Sequence, residues 1–134
     1  MDRWFKGGVA VCGSLVTFLF GGWSAVLGAL LALIVADYVT GFAAAGVEGK
    51  LSSAVGFRGI ARKVAIVTVV AVAHLVDSAM GTNHVLRDGA IWFYLANELL
   101  SITENVGRIG LPLPPILKQA VEVLRGKGGG SVGK

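Results

Sequence analysis

The side chains best placed to do chemistry in this chain lie between positions 94 and 108. Tyr94, Asn97, Glu98, Ser101, Glu104, Asn105 and Arg108 stand at offsets of 0, 3, 4, 7, 10, 11 and 14, a spacing that lines them along one stripe of an α-helix. Trp92, Leu95, Leu99, Ile102 and Val106 occupy the opposite side. In a bilayer such a stripe does not face hydrocarbon, so it is either a pore-facing or subunit-facing surface or one side of a helix lying among the headgroups. Three more ionisable residues, Asp37, His74 and Asp77, fall inside or beside apolar runs. Lys63 precedes His74 by eleven positions, close to the same helix face. These groups could pair across helices with Asp37 or Glu98, either as buried structural pairs or as a proton relay.

Enzyme chemistry finds no template. The chain lacks HExxH, GxSxG and GxxxxGK[ST], and its two histidines have no metal-ligand partner at useful spacing. Ser52-Ser53 with Gly56 and Gly59 reads as a helix cap and turns, not as a phosphate loop. No catalytic residue, metal or cofactor is therefore expected, and no small-molecule substrate.

The elements that must carry these residues are dictated by hydropathy. Hydrophobic residues make up 54% of the 134 positions and charged ones only 15%, where a soluble domain runs nearer a quarter charged. The net charge of +4 does not point to nucleic acid, because the basic residues sit in the gaps between apolar runs and are not massed on one solvated face. Cys12, the lone cysteine, lies within an apolar run, which excludes a disulfide framework.

From Gly7 to Ala36 no residue is charged. As one helix this run would measure about 45 Å against a hydrocarbon layer of about 30 Å. It also exceeds a secretory signal core of about 7 to 15 residues, so it is expected to be retained. Gly21-Gly22-Trp23-Ser24 near its middle predicts a tight turn between two helices, roughly Trp4 to Phe20 and Ser24 to Ala45. Small residues Gly28, Ala32, Ala36, Gly41 and Ala45 recur along the second and would permit close helix contact.

Gly46 to Arg58 is polar. A third helix is expected from Gly59 to about Met80, centred on the apolar run Val64 to Val76, and a fourth from about Arg87 to Val106. Pro112, Pro114 and Pro115 then interrupt the chain before a short amphipathic helix whose apolar side is Ile116, Leu117, Ala120, Val121 and Leu124. The expected organisation is an all-α integral membrane protein of about four short hydrophobic helices. Residues 1–110 form the membrane domain, 111–125 the Pro-bounded amphipathic helix, and 126–134 a disordered, basic, Gly-rich tail.

Charge placement supports four crossings. They would put Arg3 and Lys6, then Lys50, Arg58, Arg62 and Lys63, then Arg108 through Lys134 on one side, leaving only Arg87 on the other. Treating Gly7 to Ala36 as one span would set the central basic cluster opposite the amino terminus, against the positive-inside tendency. Both termini are therefore expected to be cytoplasmic.

Several blocks in fixed order identify a resemblance. They run from Asp37-Tyr38-Val39-Thr40-Gly41 through Gly49-Lys50-Leu51-Ser52-Ser53 and Gly56-Phe57-Arg58-Gly59-Ile60-Ala61-Arg62-Lys63, then Ala73-His74-Leu75-Val76-Asp77. The pattern is densest from Phe93 to Asn105 and closes with Gly107, Gly110 and Pro112-Leu113-Pro114. Together they resemble the toxin-secretion and phage-lysis holin family of Gram-positive phages. That resemblance implies a small protein of the bacterial host cytoplasmic membrane that forms homo-oligomers and opens lesions, releasing an endolysin or toxin and lysing the cell. An antiholin-like regulatory membrane protein is the alternative. A small ion-coupled transporter using Asp37, His74, Asp77 and Glu98 is a more distant one.

Overall fold

The computed structural model describes residues 2–129 and consists of five helices: α1 (Asp2–Phe20), α2 (Ala25–Val47), α3 (Ser53–Met80), α4 (Val85–Ile109) and α5 (Pro115–Gly129). No strand occurs among the described residues. The expected fold class holds in its coarse form: the chain is all-helical, and α2 and α3 are each long and apolar enough to cross a membrane.

The first turn forms where the sequence predicts it. Gly21 and Gly22 both adopt positive φ, 76° and 100°, a conformation that costs residues bearing a Cβ. Ser24 then caps α2, its Oγ accepting from the Leu27 amide at 3.1 Å. The second connection is shorter than expected. Ser52 caps α3 through the Val55 amide at 3.2 Å, so the helix starts at Ser53 and not at Gly59. Gly56 and Gly59 are helical residues that admit a neighbour: a Cβ on Gly59 would lie 3.1 Å from the ring of Tyr38, and the Tyr38 hydroxyl donates to the Gly56 carbonyl at 3.4 Å.

The bundle runs up and down. The α1–α2 and α3–α4 turns meet at one end, where Arg87 reaches the Phe20 carbonyl, and Glu48 meets Arg108 at the other. α4 lies mainly along α2 and secondarily along α3, while α1 is held chiefly by α3. Leu27, Leu30 and Ile34 of α2, Val70 of α3 and Ile91 of α4 make the shared core, with Phe20, Ile66, Tyr94 and Leu95 packed around it. α1 has no buried residue at all. α5 continues through Gly129 and so covers the first part of the expected disordered tail, while residues 130–134 lie outside the described residues.

The distribution of polarity is the reverse of a water-soluble domain. Asp37, His74, Asp77, Arg87, Glu98 and Asn105 are buried, while Trp4, Phe5, Phe18, Val35, Phe57 and Trp92 are among many large apolar side chains left outside. Charged residues are almost never fully buried in soluble proteins unless paired, and contiguous exposed apolar surface marks contact with something other than water. An apolar exterior around an interior that holds charged groups is suited to a hydrocarbon surrounding.

Candidate functional site: a charge network between three helices

The conserved geometry of an α-helix sets Asp37 and Thr40 on the inner side of α2, Lys63 on α3, and Glu98, Ser101 and Asn105 on one side of α4. Their side chains converge. Asp37 Oδ1 accepts from Ser101 Oγ at 2.6 Å and from Asn105 Nδ2 at 2.8 Å, while its Oδ2 accepts from Lys63 Nζ. Lys63 Nζ also donates to Glu98 Oε1 at 2.6 Å. Asn105 Nδ2 lies 3.0 Å from Thr40 Oγ1 and 3.2 Å from the Asp37 carbonyl, and its Oδ1 accepts from Arg108.

Gly41 makes this approach possible. A Cβ there would come within 3.3 Å of Asn105 Nδ2, so a larger residue would press α4 away from α2. With all three groups ionised, two carboxylates share one ammonium, leaving a formal excess of one negative charge among three helices. Burying such charges is costly, and only dense hydrogen bonding offsets it. The donors from Ser101 and Asn105 supply that bonding.

The network is not sealed. A cleft of about 550 Å³ reaches it between α3 and α4, with Asp37, Lys63, Glu98 and Ser101 inside and Arg62, Asn97 and Glu104 along its margin. The stripe expected on the fourth helix therefore divides. Glu98, Ser101 and Asn105 turn into the chain's own interior, Asn97 and Glu104 are exposed, and Tyr94 packs on the core with its ring edge-on to Phe93. Arg108 pairs with Glu48 at 2.7 Å.

His74 and Asp77 do not join this network, although pairing with Asp37 or Glu98 was an expectation for them. They sit at the turn end of α3. Asp77 Oδ1 accepts from Thr82 Oγ1 at 2.5 Å and the Leu86 amide at 3.0 Å, and Oδ2 accepts from the Arg87 amide at 2.8 Å. It thus caps α4 from another helix, and α4 begins at Val85, two residues before the expected start. The His74 ring stacks on that of His84, with centroids 5.8 Å apart.

Two residues carry more than their sequence context signalled. Arg87, expected only as the solitary cation of its side, is buried, and its guanidinium donates to the Phe20 carbonyl at 2.6 Å while pairing with Asp88. Lys63, noted for its alignment with His74, is the bridge of the charge network. The small-residue face of α2 also divides: Gly28 is filled by Trp23 and Gly41 by Asn105, whereas Ala32 stays exposed. No group of three or more His, Cys, Asp or Glu side chains that could hold a metal occurs among the described residues. The arrangement offers a hydrogen-bonded polar cluster at the middle of apolar helices, reached by a cleft, and no paired nucleophile and base among the described residues.

The sequence pattern described as the bacteriophage holin family matches residues 14–126. The chain belongs to the bacteriophage holin family. Its relatives include an uncharacterized protein of Halalkalibacterium halodurans, 46% identical over 94% of this chain and 97% of the relative. Another is a Clostridium perfringens protein described by its position in the nagH 3′ region, 37% identical over 93% of this chain and 96% of the relative. A protein of Bacillus phage phi105 named a probable holin is 36% identical over 80% of this chain and 78% of the relative. No solved structure matches the chain. Holin membership and two apolar helices of spanning length make this a membrane protein with a holin role, and point to a function without covalent catalysis.

Proposed function

We propose that this holin accumulates in the bacterial host cytoplasmic membrane and oligomerises into lesions that let an endolysin reach the cell wall, ending in lysis. The observation that carries the reading is the cleft on the charge network. Asp37, Lys63 and Glu98 lie about midway along helices whose exteriors are apolar, and a cleft between α3 and α4 leads to them from the side. An opening of that kind is unfavourable against hydrocarbon. It is relieved when a second copy covers it or when water fills it, and a ring of copies does both.

In this reading Asn97 and Glu104 meet the neighbouring subunit or the water of the lesion first. Tyr94, Glu98, Ser101 and Asn105 become its lining as α4 re-pairs, and the outward part of the small-residue face, exposed Ala32 with half-buried Ala36, permits close approach between copies. All four long helices cross the membrane, with both termini cytoplasmic. Arg87, the one cation of the outer end, is neutralised by Asp88 and the Phe20 carbonyl, which lowers the cost of placing it there. An endolysin is the beneficiary of the opening, and a secreted toxin is a second cargo of the same kind.

One observation favours an antiholin-like regulator as the second reading: the network is already satisfied within a single chain, so an isolated copy is a stable partner that could restrain a pore former. Expression in a bacterium carrying a cytoplasmic endolysin, with membrane potential and culture density followed together, separates the two. Abrupt depolarisation followed by endolysin-dependent lysis is the expected result. Absence of depolarisation with the protein verified in the membrane would overturn the holin reading, and delayed lysis on co-expression with an active holin would establish the regulator. Unchanged lesion timing and size in the N97L/E98L variant would remove the stripe from the mechanism.

A further inference from the structure

The turn end of the bundle contains a feature that the lesion-forming reading does not use. His74 is buried on α3, and His84 stacks on it from the α3–α4 turn. The Nδ1 atoms of both rings are buried without a hydrogen-bond partner. Gly21 lies directly against the pair: a Cβ on it would stand 2.7 Å from Cε1 of both rings and 2.9 Å from His74 Nδ1. The backbone of the α1–α2 turn is thus seated on two imidazoles and fits there only because residue 21 has no side chain.

The closed form holds both rings with no partner for either Nδ1. A bare ring nitrogen is a modest loss, and the other nitrogen of His74, Nε2, has the Ser78 hydroxyl at 3.5 Å. A proton added at either Nδ1 creates a charged donor with no acceptor, which is far more costly. Asp77 is near enough for its charge to act on His84, but neither Nδ1 has a hydrogen-bond acceptor. On α3, Asp77 has both oxygens committed to Thr82, Leu86 and Arg87. On α4, Arg87 adds a like charge and Asp88 is engaged by its guanidinium. The α1 end presents only the Phe20 carbonyl and Gly21, and Asp37 of α2 is held in the distant network by Lys63, Ser101 and Asn105. What can yield is the seat of Gly21, because α1 behind it has no buried residue.

We propose that His74 and His84 form a proton-sensitive latch: neutral rings hold the α1–α2 turn, and acidification releases α1 from the bundle. The sign follows from linkage, since a closed form that offers no acceptor for an added proton is disfavoured as protons become more abundant. The latch is a property of the folded chain and does not depend on whether the protein forms lesions or restrains them.

Double electron–electron resonance on the full chain in lipid nanodiscs tests it. One spin label goes on the native Cys12 of α1, which is exposed, and a second on V69C of α3, also exposed. A narrow distance distribution at pH 8 and a longer, broader one at pH 5 are expected. The H74Q/H84Q variant keeps the pH 8 distribution at pH 5, and G21A shows the long distribution already at pH 8. An unchanged wild-type distribution, or a pH response that survives in H74Q/H84Q, overturns the proposal. Should H74Q/H84Q already be broad at pH 8, the wild-type protein decides. Its histidine Cε1–H resonances must titrate over the same pH interval as the distance change, and a mismatch assigns the motion to another group and overturns the latch.

Discussion

Two buried polar clusters occupy different heights of the same bundle and are built on opposite plans. At the turn end, Asp77 satisfies a hydroxyl and two amides that follow it within ten residues, so a single helix–turn–helix unit supplies both the acceptor and the donors. At mid-height, Asp37 draws Lys63, Ser101 and Asn105 from 26 to 68 positions away, and its network carries unequal charge beside an open cleft. The first is a cap that fixes one corner. The second exists only when three helices are assembled, and any change in how α3 and α4 meet changes its partners. A local cluster of that kind stabilises a shape, whereas a long-range unbalanced one is the place where assembly can act.

That contrast is broken most severely at Lys63. K63M leaves two carboxylates buried together and is expected to cost about 3–5 kcal/mol in reversible unfolding in mild detergent. The triple variant K63M/D37N/E98Q should recover most of the loss, because the repulsion goes with the charges, and a double-mutant cycle measures the coupling. A triple variant no more stable than K63M would show that packing, not charge, holds the site.

D77A should cost less, about 1–3 kcal/mol, by leaving the amides at the start of α4 without an acceptor. Its effect should be confined to the corner: limited proteolysis between Gly81 and Arg87 rises while protection of the mid-height amides to hydrogen exchange is retained. Global loss of protection would erase the distinction between the two clusters.

Glycine substitutions sharpen the same comparison at smaller scale. G59A presses on the Tyr38 ring and is expected to destabilise by about 1 kcal/mol, whereas a Cβ at Gly7 or Gly8 meets nothing within 4 Å. G8A should therefore leave tertiary packing unchanged and raise the stability of α1 by up to about 1 kcal/mol through helix propensity. Helical content measured by circular dichroism during thermal unfolding reads both.

The smallest effect belongs to the Glu48–Arg108 pair, which closes the end opposite the turns. The Arg108 hydrogen bond, reinforced by the charges of Arg108 and Lys50 against the opposing cost of burial, holds the Glu48 carboxyl below its usual range. A lowered folded value means that the contribution is complete above the ordinary glutamate range and is lost as pH falls through the folded value. R108Q should remove that acid-side dependence of amide protection around Glu48, and the change should shrink in high salt.

Much of the fold was legible in the residue pattern because hydrophobicity, glycine pairs and proline clusters are local signals. The Gly21-Gly22 turn, the break at Pro112 and the four apolar segments follow from them. The start of α3 was not legible, since Gly56 and Gly59 weaken a helix locally and become favourable only when Tyr38 of α2 lies over them. The start of α4 escaped for a related reason: its cap, Asp77, stands on the preceding helix. At the site, the stripe of α4 was visible from its spacing, but which members turn inward was not, because Lys63 and Asp37 set that choice from other helices. Their complementary charges and the i, i+3 glycines opposite a tyrosine were the signals present.

The Arg87–Phe20 contact has a consequence for how the protein is made. The chain emerges amino terminus first, so α1 reaches the membrane with its last carbonyl lacking the partner it finally takes, and that partner is translated 67 residues later. The first hairpin can insert without the second but is secured only when Arg87 leaves the ribosome. Nascent chains stalled before and after that residue should differ in how readily Cys12 reacts with a membrane-permeant maleimide, and equal reactivity would show that the order of synthesis leaves no trace on α1.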